Sequence, residues 1–259
     1  MSGGTLHIVG AGLAGLSAAV ALVDTGNKVV IHELARHAGG RCRSYFEPAL
    51  VEPAVAYVEE RAGEVRFDHG VRSIAWEGER ARALQFADEA VELGRGDRLV
   101  LAVPAWVAKT LLPELRAPSE YRSIFNAHFA FPAPKQLPKI TGVINATTEW
   151  LFAFENRLSV TVSSADRFNE AEREPMARHI WSEISQIAGL DAEMPRWQIV
   201  KERRATFAAT PEQNELRPRA ETRWRNVFLA GDWTATGLPA TIEGAIRSGE
   251  TAAKLAMAS

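Results

Sequence analysis

An α/β protein, with a Rossmann-type dinucleotide-binding domain and a smaller inserted α+β domain, is predicted by three features of the chain. A strand from Thr5 to Val9 runs through Gly10-Ala11-Gly12-Leu13-Ala14-Gly15 into a helix. A second strand, Lys28 to Ile31, is followed by an acid, Glu33. The pattern changes again between Pro118 and Thr210, where short aromatic-rich strands gather around one long helix. The expected division is 1–117 with 211–259 as the nucleotide domain and 118–210 as the insertion.

Each residue of the first feature has a physical role. Gly10 permits the tight turn, Gly12 leaves the main chain bare toward a pyrophosphate, and Gly15 lets the helix lie close on the strand. With Ala11, Leu13 and Ala14 between them, these six are candidate cofactor-binding residues. The helix start adds unpaired N–H groups and the positive end of its dipole. Glu33 is placed to accept hydrogen bonds from ribose hydroxyls, and it would repel a ribose phosphate, which disfavours an NADP-type ligand. The alternative is a tight turn of purely structural meaning. Leu34 to Ser44 follows as a loop carrying Gly39, Gly40, Arg41, Cys42 and Arg43. Its bare backbone and guanidinium groups suit the far side of a diphosphate, or they mark a basic surface loop.

Further along, Val51 to Ala62 reads as an amphipathic helix ending at Gly63, and Glu64 to Phe67 and Gly70 to Trp76 as strands. Arg82 to Phe86 with Val91 to Leu93 reads as a hairpin, and Arg98 to Val103 as an apolar strand stopped by Pro104. In the insertion the expected strands are Asn126 to Phe131, Ile140 to Asn145, Glu149 to Phe154, Arg157 to Ser163 and Trp197 to Phe207. A helix from Glu170 to Ala188 stops at Gly189. Phe125, Phe129, Phe131, Trp150, Phe152 and Phe154 either line an apolar tunnel or pack a sheet on that helix.

The Glu33 and Gly39-Gly40-Arg41 pattern, with Val227-Phe228-Leu229-Ala230-Gly231-Asp232-Trp233 and Gly237-Leu238-Pro239-Ala240-Thr241-Ile242-Glu243-Gly244-Ala245, resembles the FAD-binding amine oxidase and phytoene desaturase superfamily. Gly40 to Phe46, Lys201 to Pro211 and Ala230 to Pro239 are similar to the hydroxysqualene dehydroxylase family within it. The resemblance implies a glutathione reductase-type FAD-binding domain. It places Leu34, Gly39, Gly40, Arg41 and Arg43 near the cofactor and gives Gly231 and Asp232 to the ribityl chain. It also directs Gly237, Pro239, Ala240, Thr241, Ile242 and Ala245 toward the flavin pyrimidine. Ala102, Val103 and Pro104 would line the cofactor groove. Val71 would meet the adenine, or else be ordinary strand core. The implied activity is hydride exchange between flavin N5 and an isoprenoid in hopanoid precursor synthesis. An amine oxidase or porphyrinogen oxidase relative and a flavin-binding remnant stand as alternatives.

One departure is large. The family has a long, mostly helical segment after the Gly-Gly-Arg loop, whereas here only Tyr45 to Leu50 intervene before the helix at Val51. Glu47-Pro48-Ala49-Leu50 is nearly repeated by Glu52-Pro53-Ala54-Val55, which suggests loss of an internal segment between two similar stretches.

Composition narrows the remainder. The 259 residues are 46% hydrophobic with net charge −2, enough for a sizeable core and no electrostatic case for nucleic acid. One cysteine, Cys42, rules out an internal disulfide and suits a reducing cytoplasm. The amino terminus opens almost directly into a strand, so no cleavable leader is expected, and no apolar run has membrane-spanning length. An apolar small-molecule substrate, peripheral membrane contact and a homodimer are compatible with this. The six histidines show no metal spacing, and no nucleophile elbow or Walker loop is present. The absence of cysteine from the carboxyl-terminal flavin loop points to non-covalent FAD. No residue identifies itself as catalytic.

Overall fold

The computed structural model describes residues 4–42, 49–112 and 114–259 and divides into two compact units, Met1–Ser119 with Ala209–Ser259, and Glu120–Ala208. The chain runs β1 (Thr5–Val9), α1 (Leu13–Val23), β2 (Lys28–His32), α2 (Val51–Glu60), β3 (Glu64–Arg66), β4 (Ser73–Glu77), β5 (Arg80–Gln85), β6 (Ala90–Glu92), β7 (Arg98–Leu101) and α3 (Ala105–Leu111). The second unit holds β8 (Tyr121–Phe129), β9 (Ile140–Gly142), β10 (Trp150–Ala153), β11 (Leu158–Val162), α4 (Arg173–Ala188) and β12 (Trp197–Phe207). The chain then returns to the first unit as α5 (Pro211–Glu215), β13 (Val227–Leu229) and α6 (Ile242–Ala258).

The first unit is built on a parallel sheet, β13-β7-β1-β2-β3. Its strands are short and apolar because both faces are covered. Leu6, Ile8, Val29, Ile31 and Val100 form one face and share a core with α1 and α6. The two helices approach backbone to backbone: a Cβ on Gly249 would lie 2.2 Å from the Ala14 carbonyl oxygen, and Ser17 Oγ donates to the Ile246 carbonyl at 2.8 Å. A three-stranded antiparallel layer, β4-β5-β6, completes the unit.

The second unit is an antiparallel sheet, β12-β8-β11-β10-β9, with α4 on one face. Phe125, Ala127, Phe129, Leu151 and Val160 meet Met176, Ile180, Trp181 and Ile184 there. Trp181 lies 5.2 Å from Phe129 and 5.3 Å, edge on, from Phe131. Phe125 and Phe129 are therefore core, with the partly buried Phe131 packed against it. Trp150 and Phe152 alternate with buried Leu151 and face the other way. α4 stops at Gly189, whose left-handed backbone (φ 63°) caps it through an N–H bond to Ser185. The Lys201 ammonium donates to the carbonyls of Phe168, Asn169 and Ala171 at 2.7–3.2 Å.

Two expectations are corrected by the geometry. Gly70 to Arg72 lie outside β4, so Val71 is half-exposed loop and not strand core. The first strand of the second unit starts at Tyr121 and not at Asn126, because β12 continues the pairing past an irregularity between Glu202 and Thr206. Among the described residues no helix is long and apolar enough to cross a membrane.

Candidate functional site

The glycine turn is held by main-chain bonds from three directions. Gly10 N–H donates to the His32 carbonyl (2.9 Å), Ala102 N–H to the Val9 carbonyl (2.8 Å), and Gly39 N–H to the Ala11 carbonyl (2.8 Å). Glu33 joins the same corner: its carboxylate accepts from Ala11 N–H at 2.6 Å and Ala35 N–H at 2.8 Å. The Gly-Gly-Arg loop thereby lies against the turn, with a Cβ on Gly40 placed 3.7 Å from Gly12 Cα.

Gly12 is the N-cap of α1, with extended backbone (φ −75°, ψ 178°) and no capping side chain. A Cβ built on Gly12 would have nothing within 4 Å. Leu13, Ala14 and Gly15 form the first turn behind it, so their amides and the helix dipole point toward this bare space.

Across the sheet, Arg41 Nη2 donates to Asp232 Oδ1 at 2.8 Å, joining residues 191 positions apart. Asp232 is only 7% exposed, and its carbonyl accepts from Arg217. The preceding turn is pinned by Gly231 N–H to Ser248 Oγ (2.7 Å), with Ser248 donating on to the Ala245 carbonyl (2.6 Å). Trp233 Nε1 donates to the Val103 carbonyl at 3.0 Å, tying the Ala102-Val103-Pro104 segment to Gly231-Asp232. Pro104 N-caps α3.

The structure thus brings together Gly10, Ala11, Gly12, Leu13, Ala14, Gly15, Glu33, Gly39, Gly40 and Arg41. Arg41 in turn reaches Asp232, and Trp233 ties the Gly231 turn to Val103. Leu34 is 76% exposed, and a Cβ on Gly70 would meet its Cδ1 at 2.4 Å, so it packs beside the loop leading to Val71. Gly237, Pro239 and Ala240 lie on the approach to α6 and Ile242 is its first residue; none of them shares a backbone bond with the glycine turn among the described residues. Thr241 is engaged as the N-cap of α6, its hydroxyl accepting from Gly244 N–H at 3.1 Å. Arg43 lies outside the described residues. Trp233, Ser248 and Arg217 were not anticipated from sequence, although Trp233 sits directly beside the Gly-Asp pair. His128, on β8, pairs with Ser159 Oγ at 2.9 Å, and burial pushes its pKa down.

The Glu33 contacts yield a prediction. Glu33→Ala should destabilise the protein by about 1–3 kcal/mol, because two amides lose their acceptor, and should weaken cofactor binding through the lost ribose bonds. Paired urea titrations and FAD titrations measure both effects. Unchanged FAD affinity would mean that the acid serves only the backbone.

Comparison with known proteins agrees with this geometry. A family model for flavin containing amine oxidoreductases matches residues 13–48 and 48–257. A hydroxysqualene dehydroxylase of Rhodopseudomonas palustris is 54% identical over 88% of this chain and 56% of its own length. One of Zymomonas mobilis is 46% identical over 81% of this chain and 50% of its own length. The chain therefore spans about half the length of the curated relatives it matches. Among solved structures, a putrescine oxidase variant superposes with TM-score 0.77 at 13% identity, covering 100% of both chains. An oxidoreductase from Methanosarcina mazei gives 0.73 at 10% identity, covering 98% of this chain and 100% of that one. At those identities the likeness speaks for the fold.

Proposed function

The chain belongs to the family of flavin containing amine oxidoreductases, and from that premise we propose that its nucleotide unit holds FAD non-covalently for a hydroxysqualene dehydroxylase-like reaction on an apolar isoprenoid. The observation that carries the reading is the cradle at Gly12: a helix start without a capping side chain, opening on space that a single Cβ would enter. The chain has no use of its own for a glycine there, whereas a diphosphate does.

Bound FAD would supply hydride exchange with a substrate carbon. The first-turn amides of α1 bind the diphosphate, and the Gly39-Gly40 backbone closes over the turn. Each oxygen of Glu33 keeps a lone pair for a ribose hydroxyl after accepting its backbone amide. Asp232 is oriented by Arg41 to accept from the ribityl chain. The only cysteine is Cys42, and the Gly231–Ala245 stretch contains none, which supports non-covalent attachment. Ile140, Trp150 and Val200 leave apolar surface exposed in the second unit, in keeping with a greasy substrate.

A second reading has its own support. The family match falls in two stretches that meet at residue 48, beside the near-repeat of Glu47-Pro48-Ala49-Leu50 and Glu52-Pro53-Ala54-Val55. Loss of an internal segment there would leave a flavin-binding body with an incomplete substrate wall. One experiment separates the readings. The purified chain should be yellow, release FAD on denaturation, bleach on anaerobic reduction, and convert hydroxysqualene to squalene when reduced. A yellow, reducible protein that leaves hydroxysqualene untouched selects the second reading, and a colourless one indifferent to added FAD overturns both.

A further inference from the structure

Large apolar side chains stand in water together on the β9–β10 hairpin of the second unit. Ile140 is 59%, Ile144 86% and Trp150 47% exposed. β9 is an edge strand, and in its register Gly142 pairs with Trp150 and Ile140 with Phe152, so Ile140, Trp150 and Phe152 share the sheet face opposite α4. The indole lies across bare backbone: a Cβ on Gly142 would meet Trp150 Cζ3 at 3.4 Å.

The loop that carries Ile144 is firmly tied. Val143 N–H donates to the Glu149 carbonyl at 2.8 Å, and the two carboxylate oxygens of Glu183, on α4, accept from Thr147 N–H and Thr148 N–H at 2.8 Å each. Thr147 Oγ1 is 2.8 Å from His179 Nε2. This turn therefore holds Ile144 in water, although covering such a side chain would favour it by about tenfold or more.

Charge indicates what covers the patch. From Pro132 to Thr148 the chain carries Lys135 and Lys139 and no aspartate or glutamate, in a protein of net charge −2. Both lysines are exposed. The acids that border the stretch are engaged: Glu183 as above, and Glu149 with Ser163 N–H at 2.8 Å. Glu155, in the turn after β10, is offset by Arg157, whose guanidinium lies 4.0 Å over the Phe154 ring. A second copy of the chain is a poor occupant. β9 has three residues, follows Pro134 and Pro138, and would bring its lysines toward like charges.

An apolar tip, an indole beside it and flanking ammonium groups match the boundary of an anionic bilayer. There isoleucines enter the acyl region, tryptophan rests at headgroup level, and lysines meet phosphates. No helix among the described residues is long and apolar enough to cross a membrane, so the contact is with one leaflet.

We propose that the β9–β10 hairpin docks the chain on an anionic phospholipid bilayer through Ile140, Ile144 and Trp150, with Lys135 and Lys139 meeting the headgroup charge. The contact is reversible, with a partition constant on the order of 10⁴ M⁻¹, as for a single acyl chain. A bilayer is where an apolar isoprenoid dissolves, so the inference goes beyond the flavin reading without depending on it.

The test is co-sedimentation of the full chain with vesicles of phosphatidylcholine alone and of phosphatidylcholine mixed with phosphatidylglycerol. The mixed vesicles should carry the protein down at millimolar lipid, and the neutral ones should bind it more than about tenfold less. Lys135→Gln and Lys139→Gln should each weaken binding to the mixed vesicles by about fivefold, as should added salt. Ile144→Ser should weaken it about tenfold and leave the melting temperature unchanged, since the side chain touches little. No sedimentation with mixed vesicles overturns the proposal, and so does equal binding to neutral ones. Wild-type binding by Ile144→Ser or by the double lysine variant overturns it as well. A dimer in solution that Ile144→Ser disperses would give the patch to a second copy instead. Flavin content of the same samples separates the two readings. Vesicle binding without flavin sinks the cofactor assignment alone, and flavin without vesicle binding sinks the docking alone.

Discussion

Gly12→Val should give a folded, colourless protein. The backbone at Gly12 is ordinary for any L-residue, and the new side chain meets no protein atom within 4 Å at its Cβ. The fold therefore loses no more than about 1 kcal/mol, the usual scale for a poor N-cap, offset in part by a stiffer unfolded chain. The valine methyls instead fill the space in front of the α1 amides. Denying a diphosphate two or three charge-assisted bonds at about 1.5–3 kcal/mol each lowers affinity by on the order of a thousandfold or more. Flavin-to-protein ratio and a thermal melt, taken together, check the prediction. A yellow variant at full occupancy would show that the phosphates lie elsewhere, and a variant that fails to fold would give Gly12 a structural duty.

Three residues on, the same substitution should fail in the opposite way. A Cβ on Gly15 would lie 1.9 Å from the Gly10 carbonyl oxygen and 3.2 Å from Ala102 Cβ. Both neighbours belong to the turn and the strand end that the sheet fixes, so neither can move without breaking the Ala102-to-Val9 bond. Gly15→Val should cost more than about 4 kcal/mol, the range reached only by severe overpacking or backbone conflict, and should leave little soluble protein at ambient temperature. The denaturation midpoint of whatever material is recovered measures it. A near-native midpoint would mean that α1 can lift off the turn.

That two glycines of one motif carry different duties was legible in the sequence, because a strand, a turn and a helix in succession are specified locally. The parallel sheet was legible for the same reason, and so was α4, whose apolar spacing and terminal Gly189 are both local signals. Val71 was not. The strand expected from Gly70 begins only at Ser73, because Asp68 has a left-handed backbone (φ 51°) and its N–H bonds Ala35, binding this stretch to the Glu33 loop. The Arg41–Asp232 bond was also beyond reach of spacing, with 191 positions between its ends. The contacts from His7 to His32 and from His32 to His69, each 3.0 Å between ring nitrogens, show the limit most clearly. As a list, His7, His32 and His69 have no meaningful interval; only the register of β1 on β2 turns two of them to one face and lets the third meet them.

The packing of α6 on α1 bears on how the polypeptide is made. The nucleotide unit is assembled from segments far apart in sequence: β1 and α1 are synthesised long before β13 and α6, which complete their sheet and core. Until α6 has been synthesised, α1 has only solvent where its partner belongs. The Glu120–Ala208 body, by contrast, is continuous in sequence and can mature on the ribosome before β13 and α6 are made. A stop codon ahead of Ile242 would spare that body and leave the first helix and its glycine turn without a lid, a hazard of long-range contacts that a continuous domain avoids.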